Sequence, residues 1–345
     1  MRKNVSKVII KITIAKDEER DTMKKRLTGI LLLGLVMILC TGCGNKELKK
    51  HYEQGNEYLE NGQYEEALAE FEQSYNSDTD QDALEDNKKV YRCQGITYYK
   101  MGEYKKAVSM FSYALDIPYL TEIDLDILKY KILAEEAIGD YEQAVEDFES
   151  AIAHDLSDFE LYFGKFFAQK EIGDEAGALE TLERALTLTG KGDEFKLNLS
   201  KTYYYMEQYE VAISGFKELR EELPEAYYFL GDCYYQKREY DKAIECFEQA
   251  LDKDMTQDTG LIYNQIGNCY LAEEEYEIAL SYFKQGQELP NTIWTKPLMY
   301  NEIIALEKQM KYAEALKACE DYLAEYPEDE KVMKEKQFLE TRMSE

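Results

Sequence analysis

Eight alanines recur along this chain at a spacing near 34 residues. They are Ala67, Ala107, Ala144, Ala178, Ala212, Ala243, Ala279 and Ala315, separated by gaps of 31 to 40 residues. Four positions after each comes a bulky or apolar residue: Phe71, Phe111, Phe148, Leu182, Phe216, Phe247, Phe283 and Cys319. Three positions before it stands a tyrosine in every case but one, where Glu175 takes the place. Twelve positions before it are Gly55, Gly95, Gly231 and Gly267, with Ser200 a near match and Ile132, Phe166 and Ile303 departing. A fixed period of this length is the mark of stacked supersecondary units, each unable to bury its apolar face alone.

The stretch 91–115 shows what one unit contains. Tyr91, Gly95 and Tyr98 fall on one face at i, i+4, i+7, which predicts a helix from Tyr91 to about Met101. Gly102 stops it, because glycine enters a left-handed helix cap at little steric cost. Glu103 and Tyr104 open a second helix that carries Ala107, Phe111 and Ala114. Gly95 and Ala107 are expected to form the close approach of the two helices, with Tyr98 and Phe111 filling the space beside it.

These residues resemble the tetratricopeptide repeat family, in eight copies covering roughly residues 48–327. The resemblance implies an all-α fold, a right-handed superhelical solenoid of antiparallel helix pairs. After Pro327, residues 328–345 read as a polar capping helix. Only 5 prolines in 345 residues, and no strand-type alternation beyond the first few, agree with such a chain. Gly62, Gly102, Gly139 and Gly173 close the first helices of repeats one to four. Glu207, Arg238, Glu274 and Met310 hold those sites in repeats five to eight, which predicts less favourable turns there.

The family lines its inner face with the first helix of each repeat. By that resemblance the face carries Phe163 and Phe167, then Leu197, Tyr204 and Tyr205, then Tyr228 and Tyr235, then Asn264, Asn268 and Leu271. Aromatics clustered over repeats four to six form a candidate peptide-binding strip, since tyrosine offers rigid contact area with a polar tip. The alternative is that several of these rings pack between repeats. Some relatives clamp a peptide carboxylate with basic residues and asparagines; here Asn56 matches, but Tyr52 stands where the first lysine belongs.

The chain begins differently. Residues 1–22 belong to no visible unit, and Met23 reads as a possible true start. Lys24, Lys25 and Arg26 precede the apolar run Leu27–Leu39 and then Cys40-Thr41-Gly42-Cys43, the order of a secretion signal over residues 23–42. Its ending resembles a bacterial lipobox, although Cys40 stands where leucine is usual. The resemblance implies lipid attachment at Cys43, with residues 43–47 as a short linker, and a place on the extracytoplasmic face of a cell membrane. An uncleaved anchor is the other reading, but the run is short of the ~20 residues a spanning helix needs.

Charge restricts the partners. The net charge is −29, and 9 of the 41 lysines and arginines lie in residues 1–42, so the remainder is more acidic still. That balance argues against nucleic acid as a partner, since phosphate neutralisation dominates its affinity. Beyond plain solubility, the charge points to a basic protein or peptide partner.

Catalytic groupings are scarce. The two histidines, His51 and His154, are far apart, and His51 reads as a packing residue. Asp78-Thr79-Asp80-Gln81-Asp82 opens like a calcium loop but lacks the glycine and the closing glutamate, so it reads as a connector. Cys93, Cys233, Cys246, Cys269 and Cys319 are odd in number and helical in position, which suggests small buried residues rather than disulfides. Together these features predict a non-enzymatic, membrane-tethered scaffold for a protein or peptide, without cofactor or metal. The alternative is a sensor or carrier lipoprotein that captures a small ligand.

Overall fold

The computed structural model describes residues 46–253, 259–290 and 292–343. The signal segment and Cys43 lie outside them. Among the described residues there are seventeen α-helices and no strand, and consecutive helices pair in antiparallel fashion. The described residues divide into two compact units, with the boundary between residues 189 and 190. No helix of the described residues is long and apolar enough to cross a membrane.

The first unit holds four pairs: α1 (Lys46–Glu60) with α2 (Tyr64–Gln73), α3 (Gln81–Lys100) with α4 (Tyr104–Leu115), α5 (Asp124–Ile138) with α6 (Tyr141–His154), and α7 (Phe159–Glu171) with α8 (Glu175–Leu186). The second holds α9 (Asp193–Tyr205) with α10 (Tyr209–Leu219), α11 (Glu225–Gln236) with α12 (Tyr240–Asp252), α13 (Thr259–Ala272) with α14 (Tyr276–Gln287), and α15 (Thr295–Lys308) with α16 (Tyr312–Glu325). A further helix, α17 (Glu330–Met343), lays Val332 and Leu339 against Cys319 and Tyr322 of the last pair. This is a helical repeat solenoid, with the eight marker alanines almost wholly buried.

Two expectations need correction. Helix α3 begins at Gln81, ten residues before Tyr91, because Asp80 caps it by accepting a hydrogen bond from the Ala83 amide at 2.9 Å. The acidic stretch 78–82 is therefore partly connector and partly helix start. The seam of each pair also differs in detail. Gly95 faces the ring of Phe111, so the close approach is glycine to phenylalanine, with Ala107 buried one turn away. Gly55 meets Phe71, Gly231 meets Phe247 and Gly267 meets Phe283 in the same way. In the fifth pair the roles reverse, and Gly215 of the second helix makes room for Ser200. In the third pair, where Ile132 stands in the glycine's place, the ring of Phe148 goes instead to Gly164 of the following pair.

All eight turns within pairs place one residue in the left-handed region. Gly62, Gly102, Gly139 and Gly173 have φ of 73°, 77°, 80° and 78°. Glu207, Arg238, Glu274 and Met310 adopt 59°, 62°, 65° and 58°, where a side chain crowds the following carbonyl. The second unit thus carries the four strained turns. Replacing Glu274 with glycine is expected to raise its stability by about 1 kcal/mol. The sole tryptophan, Trp294, is buried in that unit, so its fluorescence during urea unfolding reads the change directly.

Several buried charges are matched by partners. In the first unit Lys88 reaches Asp124 at 2.5 Å and donates to the carbonyls of Ile117 and Tyr119. Lys131 lies between Glu135 and Asp147, and burial pushes the Glu135 carboxyl up to about 8. Arg184 grips Glu149 with two hydrogen bonds of 2.8 and 2.9 Å, and together with Lys165 holds that carboxyl down at about 2. His51 pairs with Glu70 at 2.6 Å. The five cysteines of the repeats are buried free thiols, as their helical positions predict.

Candidate functional site

The helix faces that the sequence nominates lie in both units. In the first, Phe163 is a core residue at 2% exposure, with its ring 6.0 Å from that of Phe159. Only Phe167 is half-buried, its ring edge-on to Phe166 at 5.0 Å. In the second, Leu197 and Tyr228 are buried; Tyr228 packs between Phe229 and Phe247. Phe163, Leu197 and Tyr228 therefore offer a partner almost no surface, because they point into the space between helices. Tyr204, Tyr205, Tyr235 and Leu271 are half-buried. Tyr204 is committed to its own fold as well, with its ring against Tyr205, Tyr209 and Phe229.

What the second unit does bring together is polar. The Tyr204 hydroxyl of α9 donates to Asp232 Oδ2 of α11. Gln265 of α13 donates to Asp232 Oδ1 at 2.8 Å, and Gln236 reaches Oδ2 at 3.4 Å. Asn268 donates to Gln265 Oε1 at 3.2 Å. Asn301 of α15 then donates to the side-chain oxygens of Asn264, at 2.7 Å, and Asn268, at 3.1 Å. One continuous line of side-chain hydrogen bonds thus crosses four successive first helices. Burial keeps the Tyr204 hydroxyl protonated far above its usual range, with the Asp232 charge reinforcing the effect. Tyr235 adjoins the line beside Cys269 and Tyr240, and burial pushes its hydroxyl up to about 12.

Asn264 and Asn268 were legible in the sequence; Asp232, Gln236, Gln265 and Asn301 were not. A positional signal marks three of them. Asp232 and Asn268 stand eleven residues before their marker alanines, and Gln265 and Asn301 stand fourteen before theirs. Position eleven of one repeat meets position fourteen of the next. The same joint holds Asn56 with Cys93 at 3.5 Å, and Lys201 over the Phe229 ring at 5.2 Å. Asn301 Oδ1 is buried and has no hydrogen-bond partner among the described residues.

This architecture defines a class. The chain carries tetratricopeptide repeats: models of that repeat match residues 51–81, 224–254 and 261–292. Among curated proteins it is similar to Tetratricopeptide repeat protein 29 of Homo sapiens, 26% identical over 236 residues, covering 63% of this chain and 45% of that protein. It is also similar to TPR repeat-containing protein YpiA of Bacillus subtilis (strain 168), 25% identical over 193 residues, covering 55% of this chain and 43% of that one. The chain thus spans under half the length of these relatives. Among solved structures, a tetratricopeptide repeat protein from Parabacteroides merdae ATCC 43184 superposes with a TM-score of 0.59 at 15% identity, covering 76% of this chain and 100% of that one. That likeness shows the fold.

Proposed function

We propose that this chain is a membrane-tethered, extracytoplasmic repeat lipoprotein of a bacterial cell envelope, and that it acts as a non-catalytic scaffold holding an extended, basic segment of a protein partner. The observation that carries the reading is the hydrogen-bonded line over α9, α11, α13 and α15. The line is itself largely buried and fixes the register of the four first helices, and the half-buried Tyr204, Tyr205 and Tyr235 beside it are left as the pre-organised surface for an extended segment. The net charge of −29 favours a basic segment and hastens its approach. The basic–apolar–small order ending at Cys43 supports the tether, where two or more acyl chains would hold the protein stably.

The test is photocrosslinking in intact cells, with a benzoylphenylalanine in place of Tyr235, or of the exposed Ile278 as a control. Position 235 is expected to capture one partner through a Lys- or Arg-rich segment, and position 278 none. Run with Cys43→Ala, the same cells are expected to show lost lipid labelling and release of the protein from the membrane fraction. Equal capture from position 278 overturns the assigned face, and lipid retained on Cys43→Ala overturns the tether.

A further inference from the structure

A second feature of α11 faces away from the hydrogen-bonded line. Tyr227, Leu230 and Tyr234 share a stripe at i, i+3, i+7 and form the floor of an open hollow of about 280 Å³ between α10, α11 and α12. All three are buried. Three cations line the same hollow: Lys217 of α10, Arg220 at its end and Lys242 of α12, against one lining carboxylate, Glu245. In a chain of net charge −29 this is a local reversal of sign.

Two of the cations have neighbours. Arg220 lies 3.6 Å from Glu221, which also takes the Tyr227 hydroxyl at 2.7 Å and Lys253 at 3.1 Å. Lys242 lies 2.6 Å from Glu239, which also holds Lys237. Lys217 has no carboxylate partner among the described residues. It rests over the Tyr234 ring at 5.7 Å, with Lys242 at 5.4 Å from the same ring. The remaining wall is Gln249 and Cys246, whose thiol burial pushes up to about 11, so at neutral pH the thiol is an inert apolar surface.

We infer that this hollow binds a small aromatic anion, its ring against Leu230 and the faces of Tyr227 and Tyr234 and its charged group between Lys217 and Arg220. Aromatic rings stack in offset or edge-on geometry over such a floor. An anion meeting an unpaired ammonium and a guanidinium gains charge-assisted hydrogen bonds that neither ring nor charge alone supplies. A concave site with convergent polar groups beside an aromatic floor has the form of a small-ligand pocket. The inference concerns the opposite side of α11 and does not depend on the scaffold reading.

The test is calorimetric titration of the full chain with phenyl phosphate at low salt. Phenol, which has the ring without the charge, and inorganic phosphate, which has the charge without the ring, serve as comparisons. Phenyl phosphate is expected to bind saturably and at least about tenfold more tightly than either, since one lost charged hydrogen bond is worth that factor. Lys217→Gln, an exposed substitution, is expected to weaken it by about tenfold or more, whereas Lys308→Gln on α15 leaves it unchanged. Unaltered Trp294 fluorescence shows that both variants stay folded. No saturable binding of phenyl phosphate, inorganic phosphate binding equally well, or Lys217→Gln matching Lys308→Gln each overturns the site.

Discussion

Asp232→Ala will lower the stability of the second unit by about 3 kcal/mol, because it strands donors to a carboxylate that are individually worth about 1.5–3 kcal/mol. The stranded groups are the Tyr204 hydroxyl and the amides of Gln236 and Gln265. Asp232 is 4% exposed, so water reaches the vacated place poorly. The measurement is the urea midpoint of Trp294 fluorescence. Asp232→Asn supplies the contrast: it keeps an acceptor oxygen and is expected to lose less than half as much. If the alanine and asparagine variants unfold at the same denaturant concentration, the hydrogen bonds are not what holds these first helices in register.

The second large effect lies in the glycine seam. A Cβ on Gly231 would stand 2.7 Å from Cε1 and 2.8 Å from Cδ1 of Phe247, inside any real carbon contact. Phe247 is fully buried and the ring cannot retreat. Gly231→Ala should therefore cost about 2–3 kcal/mol through overpacking, even after the roughly 1 kcal/mol that alanine returns in helix propensity. The double variant Gly231→Ala with Phe247→Leu is expected to unfold later than the sum of its parts predicts, since the smaller side chain vacates the collision. Strict additivity of the two changes in urea would show that the residues do not press on each other.

The fold could be read from the chain because its signals are redundant. A missing glycine at Ile132, Phe166 or Ile303 does not hide a pattern whose alanine recurs in all eight copies. The left-handed turns were equally plain, since Gly62 to Gly173 mark the position and Glu207 to Met310 then inherit it. Helix starts were less visible. Asp80 caps α3 ahead of a polar first turn, and the apolar rhythm that locates a helix begins only later, at Val90.

The site was harder for a physical reason. Two tyrosines seven residues apart on a first helix share one face, yet one is buried and the other half-buried. Tyr228 packs against Phe247 and Tyr235 against Tyr240 on neighbouring parts of the same helix. Sequence spacing within one repeat does not separate these cases. Asp232 was passed over because a lone carboxylate in an acidic chain carries no local mark, and its meaning appears only beside Gln265, thirty-three residues later.

In the second unit, the residue that fits one helix to its partner and the residue that links one repeat to the next are adjacent letters: Ser200 and Lys201, Gly231 and Asp232, Gly267 and Asn268. A rotation of one residue sends them to different neighbours. Drift at the second letter can exchange an ammonium for a carboxylate or an amide while the first letter keeps the pair closed. Such a chain can vary how each repeat joins the next, one joint at a time, without renegotiating its architecture.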